Sequence, residues 1–202
     1  MMRRRAVGWA AAVSVVVAAM LLGRFNGSPS LPRGLYLELP RAWLRRAPAP
    51  GELVLACAPP AAGELARRRG YLGDGPCAAG AASGAALLGK LVLAAAGDEI
   101  AFGPGGLAVN GRAVAGSQAL ACDRAGRALP HYRFGRLRMA PGQVWLFAPY
   151  HPRSYDSRYF GPVAVSAIRG WLLPVLVAND DRFSEFRLHR FHLSVVAAGA
   201  SR

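Results

Sequence analysis

The sequence predicts an all-β fold (β-rich α+β) of antiparallel strands behind one N-terminal transmembrane helix. Short apolar runs alternate with turns that contain Pro and Gly, a pattern typical of antiparallel sheets. One longer apolar run without charge, Ala6–Leu22, precedes them. The 202 residues suit one domain plus an anchor, and 24 Gly and 15 Pro favour a loop-rich β domain over a helical bundle.

Eight apolar segments between turn residues are expected to form strands. The dipeptide Asn110-Gly111 predicts a tight type I′ hairpin between two of them. The segment Ala61–Gly70 is expected to form a short helix that ends at its glycine. The predicted strands are Leu35–Leu39, Glu52–Ala56, Leu91–Ala95, Glu99–Phe102, Leu107–Val109, Arg112–Val114, Gln143–Phe147 and Val163–Trp171.

The run Ala6–Leu22 is expected to be an uncleaved membrane anchor. As a helix it would rise about 25 Å, the lower limit for a bilayer core. The preceding Arg3, Arg4 and Arg5 predict a cytoplasmic start, which leaves the rest of the chain on the periplasmic side of a bacterial inner membrane. A cleaved signal peptide shows the same pattern and is the alternative. The expected division is 1–5 cytoplasmic start, 6–23 anchor, 24–177 periplasmic domain and 178–202 a tail without an assigned role.

The formal net charge of +14 does not by itself indicate a nucleic-acid partner. The basic residues are scattered as singles and short clusters, and no helix-turn-helix, zinc-finger or RNA-binding motif accompanies them. A general bias toward Arg explains most of the charge. A lipid bilayer with anionic headgroups is the partner that the remaining positive charge suits.

Lys90 is the one lysine among 25 basic residues. Arg cannot be deprotonated in a protein, whereas a desolvated Lys can become a neutral amine. Leucines on both sides of Lys90 in the sequence are able to supply that desolvation. Lys90 is therefore the candidate for a cationic side chain that acts as a base.

The cysteines and histidines match neither a metal site nor a Ser–His–Asp triad. No C-x-x-C pair and no G-x-S-x-G segment is present, so no metal or other cofactor is expected. Cys57 and Cys77 flank the predicted helix and are the preferred disulfide pair among three cysteines, Cys122 being the third. The four histidines are assigned to loops and to the tail: His131, His151, His189 and His192.

Three segments carry residues suited to peptide-bond chemistry. The first is N-G-S-P-S-L-P-R-G-L-Y, Asn26–Tyr36, and the second is G-K-L-V-L-A-A-A-G-D-E, Gly89–Glu99. The third is S-Y-D-S-R-Y-F-G-P-V, Ser154–Val163. Taken singly, each is explained equally well as an ordinary turn or ion pair, so their weight lies in occurring together and in this order.

Together the segments resemble the type I signal peptidase family, and within it the TraF peptidases of conjugative transfer. Ser30 with Pro32 two positions later matches the family's nucleophile, and Lys90 stands eight residues before Asp98, as the family's base does. The resemblance covers roughly residues 6–174. It implies a signal-peptidase/LexA-like β domain that acts as a serine endopeptidase with a Ser–Lys dyad.

The resemblance also implies a role for each remaining residue of the three segments. Lys90 is expected to take the Ser30 proton, for which burial must lower the lysine pKa by roughly 3 units. The Ser28 hydroxyl and the Ser30 backbone N–H are expected to bind the oxyanion, and Ser154 to orient the amine. Structural support is expected from Asp98, and from Asp156 and Arg158 as an ion pair that braces its strand.

The implied substrate is a protein precursor that emerges from the membrane. The TraF resemblance implies maturation of a conjugative pilin precursor, and in relatives the acyl-enzyme can pass to the substrate's own amino terminus and close a cyclic peptide. Departures lie at Leu91, at Ala96 and in Ala148–Arg153, where signal peptidases carry other residues. The rivals are a general type I signal peptidase for secreted proteins and a catalytically silent, membrane-tethered assembly protein of a secretion apparatus.

Overall fold

The computed structural model describes residues 22–44, 46–77 and 84–178. Short strands dominate it, and every pairing among them is antiparallel, which confirms the predicted β-rich class. Thirteen strands are described: β1 Gly23–Asn26, β2 Gly34–Pro40, β3 Leu53–Ala56, β4 Asp74–Gly75, β5 Gly84–Ala85, β6 Leu88–Ala95, β7 Glu99–Gly103, β8 Gly106–Val109, β9 Arg112–Val114, β10 Gly135–Arg138, β11 Gln143–Phe147, β12 Val163–Ala164 and β13 Ile168–Val177.

The described strands form two main sheets and a small ribbon. The larger sheet has the order β1-β2-β13-β3-β6-β11-β12, the second has the order β10-β7-β8-β9, and β4 pairs with β5. The helices in the described part are α1 Pro60–Arg68 and α2 Ser157–Phe160, with 3₁₀ turns at Arg41–Trp43 and Val165–Ala167. Because β6 lies inside the larger sheet, its residues are flanked by strands on both sides.

Apolar side chains from both sheets form the core. One cluster joins β7 and β8 of the second sheet to β6 and β11, with Phe102 and Trp145 at its centre. Another lies under the segment between β1 and β2 and contains Leu31, Tyr36 and Leu91. Burial of each apolar side chain of this size stabilises the fold by about 1.5–3 kcal/mol. The segment that carries Ser30 therefore rests on packed core.

Two local predictions are confirmed by the structure. Asn110 and Gly111 have φ of 51° and 79° and join β8 to β9, as the predicted hairpin requires. Cys57 and Cys77 form a disulfide with a Cα–Cα distance of 5.3 Å across α1, and Cys122 is free and exposed.

The predicted strand Val163–Trp171 is wrong as a single element. The chain leaves β12 after Ala164, makes a 3₁₀ turn, and re-enters the same sheet as β13, which continues to Val177. Its two halves occupy different places in the sheet, because β12 pairs with β11 at one edge while β13 pairs with β2 and β3.

The predicted anchor and tail lie almost wholly outside the described residues. Only positions 22 and 23 of the predicted anchor 6–23 are described, and Gly23 already pairs with Leu37 at the start of β1. Of the tail 178–202, only Ala178 is described, and its N–H bonds the Arg33 carbonyl. Within the described ranges no helix is long and apolar enough to cross a membrane.

Candidate active site

Ser30 lies in the seven-residue segment that joins β1 to β2. Asn26 pairs with Gly34 where the two strands meet, so residues 27–33 form a closed loop above the sheet. Gly34 has φ of +150°, and a Cβ there would collide with the backbone of Leu176 on β13. Glycine at this position therefore allows β2 to pair closely with β13 at the base of the loop.

Lys90 lies on β6 in the interior of the larger sheet. Its backbone pairs with Val54 of β3, and its side chain is only 3% exposed. The preceding residue on β6, Gly89, faces Leu31, and a Cβ on Gly89 would lie 3.1 Å from the leucine side chain. Because Gly89 has no side chain, the loop that carries Ser30 can settle directly on the strand that carries Lys90.

Ser154 joins Ser30 and Lys90 through hydrogen bonds. The Lys90 Nζ donates to Ser154 Oγ at 2.8 Å, and Ser154 Oγ lies 3.0 Å from Ser30 Oγ. No direct hydrogen bond between Ser30 and Lys90 is found in the described part of the chain. Ser154 is 4% exposed and Ser30 is half-buried, so the row runs from the interior toward the surface.

Burial lowers the pKa of Lys90 from 10.5 to about 8. The first cause is desolvation, which disfavours the charged ammonium. The negative charge of Asp156 raises the pKa, and the positive charge of Arg158 lowers it, so these neighbours partly cancel. A lysine of this pKa is partly neutral near pH 8 and can accept a proton, which no Arg can do.

Asp156 and Arg158 form a fully buried ion pair beside Ser154. Arg158 Nε and Nη2 donate to the two carboxylate oxygens of Asp156 at 2.8 and 2.9 Å, and both residues are 0% exposed. Arg158 also donates to the Ser154 carbonyl at 3.0 Å and to the Gln118 carbonyl at 2.9 Å. Removing one partner of such a buried ion pair lowers the free energy of unfolding by about 3–5 kcal/mol, because the other charge is left uncompensated.

The ion pair braces a turn and a short helix, so its predicted place on a strand is wrong. Asp156 stands at the start of α2 and accepts from the Arg158 N–H, as an N-capping residue does. It also accepts from the Ala148 N–H at the end of β11. By bonding the Ser154 carbonyl, Arg158 fixes the backbone from which the Ser154 hydroxyl projects.

Ser28 lies in the same loop, but its hydroxyl is engaged elsewhere. Ser28 Oγ donates to Asn26 Oδ1 at 2.8 Å, and Ser28 is exposed. A serine hydroxyl has one hydrogen to donate. Ser28 can therefore serve an oxyanion only after its side chain turns away from Asn26.

Asp98 lies at the far end of β6 from Lys90. Its carboxylate accepts from the Ala95 N–H at 2.9 Å and from Asn110 Nδ2 at 2.7 Å, which ties the β6–β7 turn to the β8–β9 hairpin. Asp98 is thus part of the turn structure, apart from the row of Ser30, Ser154 and Lys90. In the described ranges no group of three His, Cys, Asp or Glu side chains is placed to hold a metal ion.

Two residues of this site were not singled out from the sequence. Asn26 hydrogen-bonds five backbone and side-chain groups of the Ser30 loop, none of them on Ser30 itself, and Tyr36 donates to the Pro32 carbonyl at 2.6 Å. Both lie within the first motif segment, Asn26–Tyr36, and stand at its two ends. The sequence indication was an Asn shortly before Pro29 and Pro32, which have no N–H and so leave this segment short of backbone donors.

Comparisons with known proteins agree on one family. The sequence model of signal peptidase, peptidase S26, matches residues 5–176. A plasmid transfer protein TraF from Escherichia coli is 37% identical over 175 residues, which covers 85% of this chain and 93% of the relative. A conjugal transfer protein TraF from Agrobacterium tumefaciens is 37% identical over 183 residues, covering 87% of this chain and 97% of the relative.

A solved structure gives a weaker match. The crystal structure of a signal peptidase I from Enterococcus faecalis is 15% identical in sequence and has a TM-score of 0.35. The match covers 62% of this chain and 97% of the other.

Proposed function

Because the chain belongs to the signal peptidase family, peptidase S26, a family of serine peptidases, we propose that it is a membrane-anchored endopeptidase with Ser30 as nucleophile and Lys90 as general base. The observation that carries the proposal is the row in which Ser154 hydrogen-bonds both Ser30 Oγ and Lys90 Nζ. The lowered pKa of Lys90 supports the same assignment, since a general base must be neutral before it can act.

In the proposed reaction, Ser30 Oγ attacks the scissile carbonyl carbon while its proton ends on neutral Lys90 Nζ. Ser154, hydrogen-bonded to both groups, holds them in line. The negative oxygen of the tetrahedral intermediate is met by the Ser30 N–H and by the Ser28 hydroxyl after it has turned. As the C–N bond breaks, the Lys90 ammonium returns the proton to the leaving amine, and an ester to Ser30 remains.

The ester can be resolved by two nucleophiles. If water attacks, a linear peptide leaves with a free carboxylate, and if the substrate's own amino terminus attacks, a cyclic peptide leaves. In both cases neutral Lys90 takes the proton of the attacking group and returns it to Ser30 Oγ. The names of the relatives, plasmid transfer and conjugal transfer protein, support a precursor from conjugative transfer, such as a pilin, as substrate.

An apolar outer face next to the Ser30 loop supports a position at the periplasmic surface of the inner membrane. Phe25, Leu35 and Leu176 are paired in one row across β1, β2 and β13 and are 78%, 38% and 74% exposed. Leu173 and Val175 on β13 add to the exposed apolar side chains, at 46% and 56%. Such a face suits contact with acyl chains where a precursor leaves the bilayer.

The activity can be tested with the full-length protein in detergent and a conjugative pilin precursor. Mass spectrometry of the product distinguishes hydrolysis from cyclisation, since the cyclic product is lighter by one water. Ser30→Ala should abolish both products, while Ser166→Ala, at an exposed serine outside the site, should leave them unchanged. Processing by Ser30→Ala at the wild-type rate would exclude Ser30 as the nucleophile, and absence of processing by the wild type would exclude the substrate.

The membrane location has its own test. Protease added to spheroplasts should digest the domain if its carboxyl terminus lies in the periplasm. Full protection, or the release of a shortened soluble form, would contradict the proposed anchor and topology.

A further inference from the structure

We propose that Asn26 is a positioning residue that holds the nucleophile loop in the shape required for acylation. The proposal rests on the proposed function, in which Ser30 is the nucleophile. Asn26 is the last residue of β1, and its side chain lies within the loop formed by residues 27–33. It bonds residues before and after Ser30, so it acts through the loop and has no role in the proton transfer.

The amide nitrogen of Asn26 faces the second half of the loop. Nδ2 lies 3.0 Å from the Leu31 carbonyl and 3.2 Å from the Pro32 carbonyl, and 3.1 Å from the Ser28 carbonyl. Leu31 and Pro32 are buried residues, and the hydrogen bonds that join their carbonyls to Asn26 are partly buried. A buried carbonyl without a donor costs up to about 1–3 kcal/mol. The Leu31 carbonyl receives its donor from Asn26, whereas the Pro32 carbonyl accepts from both Asn26 and Tyr36.

The amide oxygen of Asn26 holds the first half of the loop. Oδ1 accepts from the Ser28 N–H at 3.1 Å and from the Ser28 hydroxyl at 2.8 Å. An Asn side chain that bonds the N–H two residues ahead forms a local turn without help from other strands. Ser30 therefore lies between two stretches of backbone that are tied to one side chain.

The composition of the loop explains why an Asn is needed. Pro29 and Pro32 have no N–H, so the loop has few backbone donors of its own. An amide supplies two donors and an acceptor, whereas an aspartate of the same size supplies acceptors alone. Tyr36 assists from β2 by donating to the Pro32 carbonyl at 2.6 Å, but it reaches neither Ser28 nor Leu31 by a hydrogen bond.

The deciding variant is Asn26→Asp, which keeps the size of the side chain and the acceptor for Ser28. It removes the donors to Leu31 and Pro32 and places a negative charge against their carbonyl oxygens. Because a displacement of about 1 Å at a reacting group can lower the rate about 100-fold, we expect kcat to fall by about 10- to 100-fold. KM should stay unchanged, since the change lies in the loop and not in a group that binds substrate, and any shift of the apparent pKa should be upward, because the added carboxylate favours the charged Lys90 ammonium.

Asn110→Ala is the matched control for a merely structural role. Asn110 also bonds backbone and side-chain groups, the Glu99 N–H and the Asp98 carboxylate, but in the β8–β9 hairpin away from Ser30. It should lower the Tm while kcat, measured well below that Tm, stays at the wild-type value. Tyr36→Phe should lower kcat less than Asn26→Asp, because it removes one of the two side-chain donors to Pro32.

The outcomes separate this inference from the proposed function. A folded Asn26→Asp variant with kcat within about twofold of wild type would overturn the role of Asn26. A loss of kcat that the neutral variant Asn26→Leu, of similar size, does not share would also overturn it, because the added charge and not the lost donors would then be the cause. Activity in Ser30→Ala would instead remove the nucleophile itself, whatever the Asn26 variants do.

Discussion

Lys90 Nζ donates a 2.8 Å hydrogen bond to Ser154 Oγ, although 64 positions separate the two residues in the chain. The bond is buried, since both side chains are less than 5% exposed. It brings the ammonium from the interior of the larger sheet to the segment that precedes α2. From there, Ser154 Oγ is 3.0 Å from Ser30 Oγ, which makes Ser154 the link between the proposed nucleophile and the proposed base.

Replacing Lys90 by Arg should inactivate the protein as completely as replacing it by Ala. Arg keeps a positive charge but cannot give up its proton at any accessible pH, so it cannot serve as a base. Loss of a general base lowers the rate by about 100-fold or more. Precursor processing should be measured across pH, and for wild type kcat/KM should rise through an apparent pKa of about 8.

Two observations would contradict the role of Lys90. One is a folded, membrane-inserted Lys90→Arg protein that retains more than about a tenth of wild-type activity. The other is a wild-type rate that does not change between pH 7 and 9, roughly one unit on either side of the lowered pKa. Arg112→Met is the control, because it removes a cation from the exposed edge strand β9 and not from the site.

The same pKa shift predicts how stability depends on pH. Lys90 has a pKa of about 8 in the folded protein and 10.5 when exposed, so between these values the unfolded state binds more protons. The free energy of unfolding should therefore rise as pH rises from 8 to 10.5, and the full cost of the buried charge is present below pH 8. A shift of this size corresponds to about 3 kcal/mol.

Lys90→Met removes the titrating group and provides the measurement. The free energy of unfolding of Lys90→Met should exceed that of the wild type by the largest amount below pH 8. This difference should shrink by about 3 kcal/mol as pH approaches 10.5. Denaturant titrations of both proteins in the same detergent at several pH values give this difference. If the difference does not change with pH, the Lys90 pKa is not lowered in the folded protein.

Much of the fold was predictable because its causes are local. The Asn110-Gly111 hairpin follows from two residues that accept positive φ, and both adopt it. By contrast, the strand Gly23–Asn26 carries no apolar alternation and follows directly on the long apolar run. It forms because β2 offers an edge for pairing, and pairing partners are not visible in a local pattern.

The residues of the site were predictable, and so was the contact between Ser154 and Lys90, but the place of Ser154 between Ser30 and Lys90 was not. Lys90 stands out by composition alone, because it is one Lys among 25 basic residues. That Ser154 lies between Ser30 and Lys90 depends on contacts across 124 and 64 positions, which only the folded sheet creates. The role proposed for Asn26 was not predicted either, because its hydrogen bonds form only in the folded loop.

Ser154→Ala should reduce activity without abolishing it. The change removes both hydrogen bonds that join Ser30 to Lys90, but it leaves Lys90 buried. We expect kcat to fall by about 10- to 100-fold through loss of alignment. The apparent pKa should fall as well, because the Ser154 oxygen accepts from the ammonium and so favours the charged form.

The measurement is a pH–rate profile of Ser154→Ala beside that of Ser166→Ala, which should match the wild type. A loss as large as that of Lys90→Ala would show that the Ser154 hydroxyl itself carries the proton. Full activity at an unchanged apparent pKa would show that the hydrogen bonds of Ser154 do not contribute to the reaction.

Ser28→Ala should lower kcat while leaving KM unchanged. The Ser28 hydroxyl donates to Asn26 Oδ1 in the free protein, so it contributes to the oxyanion only after rotation about one side-chain bond. An interaction made in the transition state and absent from the substrate complex affects kcat alone. Removal of one oxyanion donor lowers kcat by about 100- to 1000-fold in the best-studied case, so a loss of about 10- to 1000-fold is expected.

Ser28→Thr is the matched control, because it keeps a hydroxyl on the same carbon and should recover most of the activity. The comparison with Ser30→Ala decides between the two serines of the loop, since that variant should form no product. If Ser28→Ala is inactive and Ser30→Ala is active, the nucleophile is Ser28. A Ser28→Ala variant with raised KM and unchanged kcat would instead place Ser28 in ground-state substrate binding.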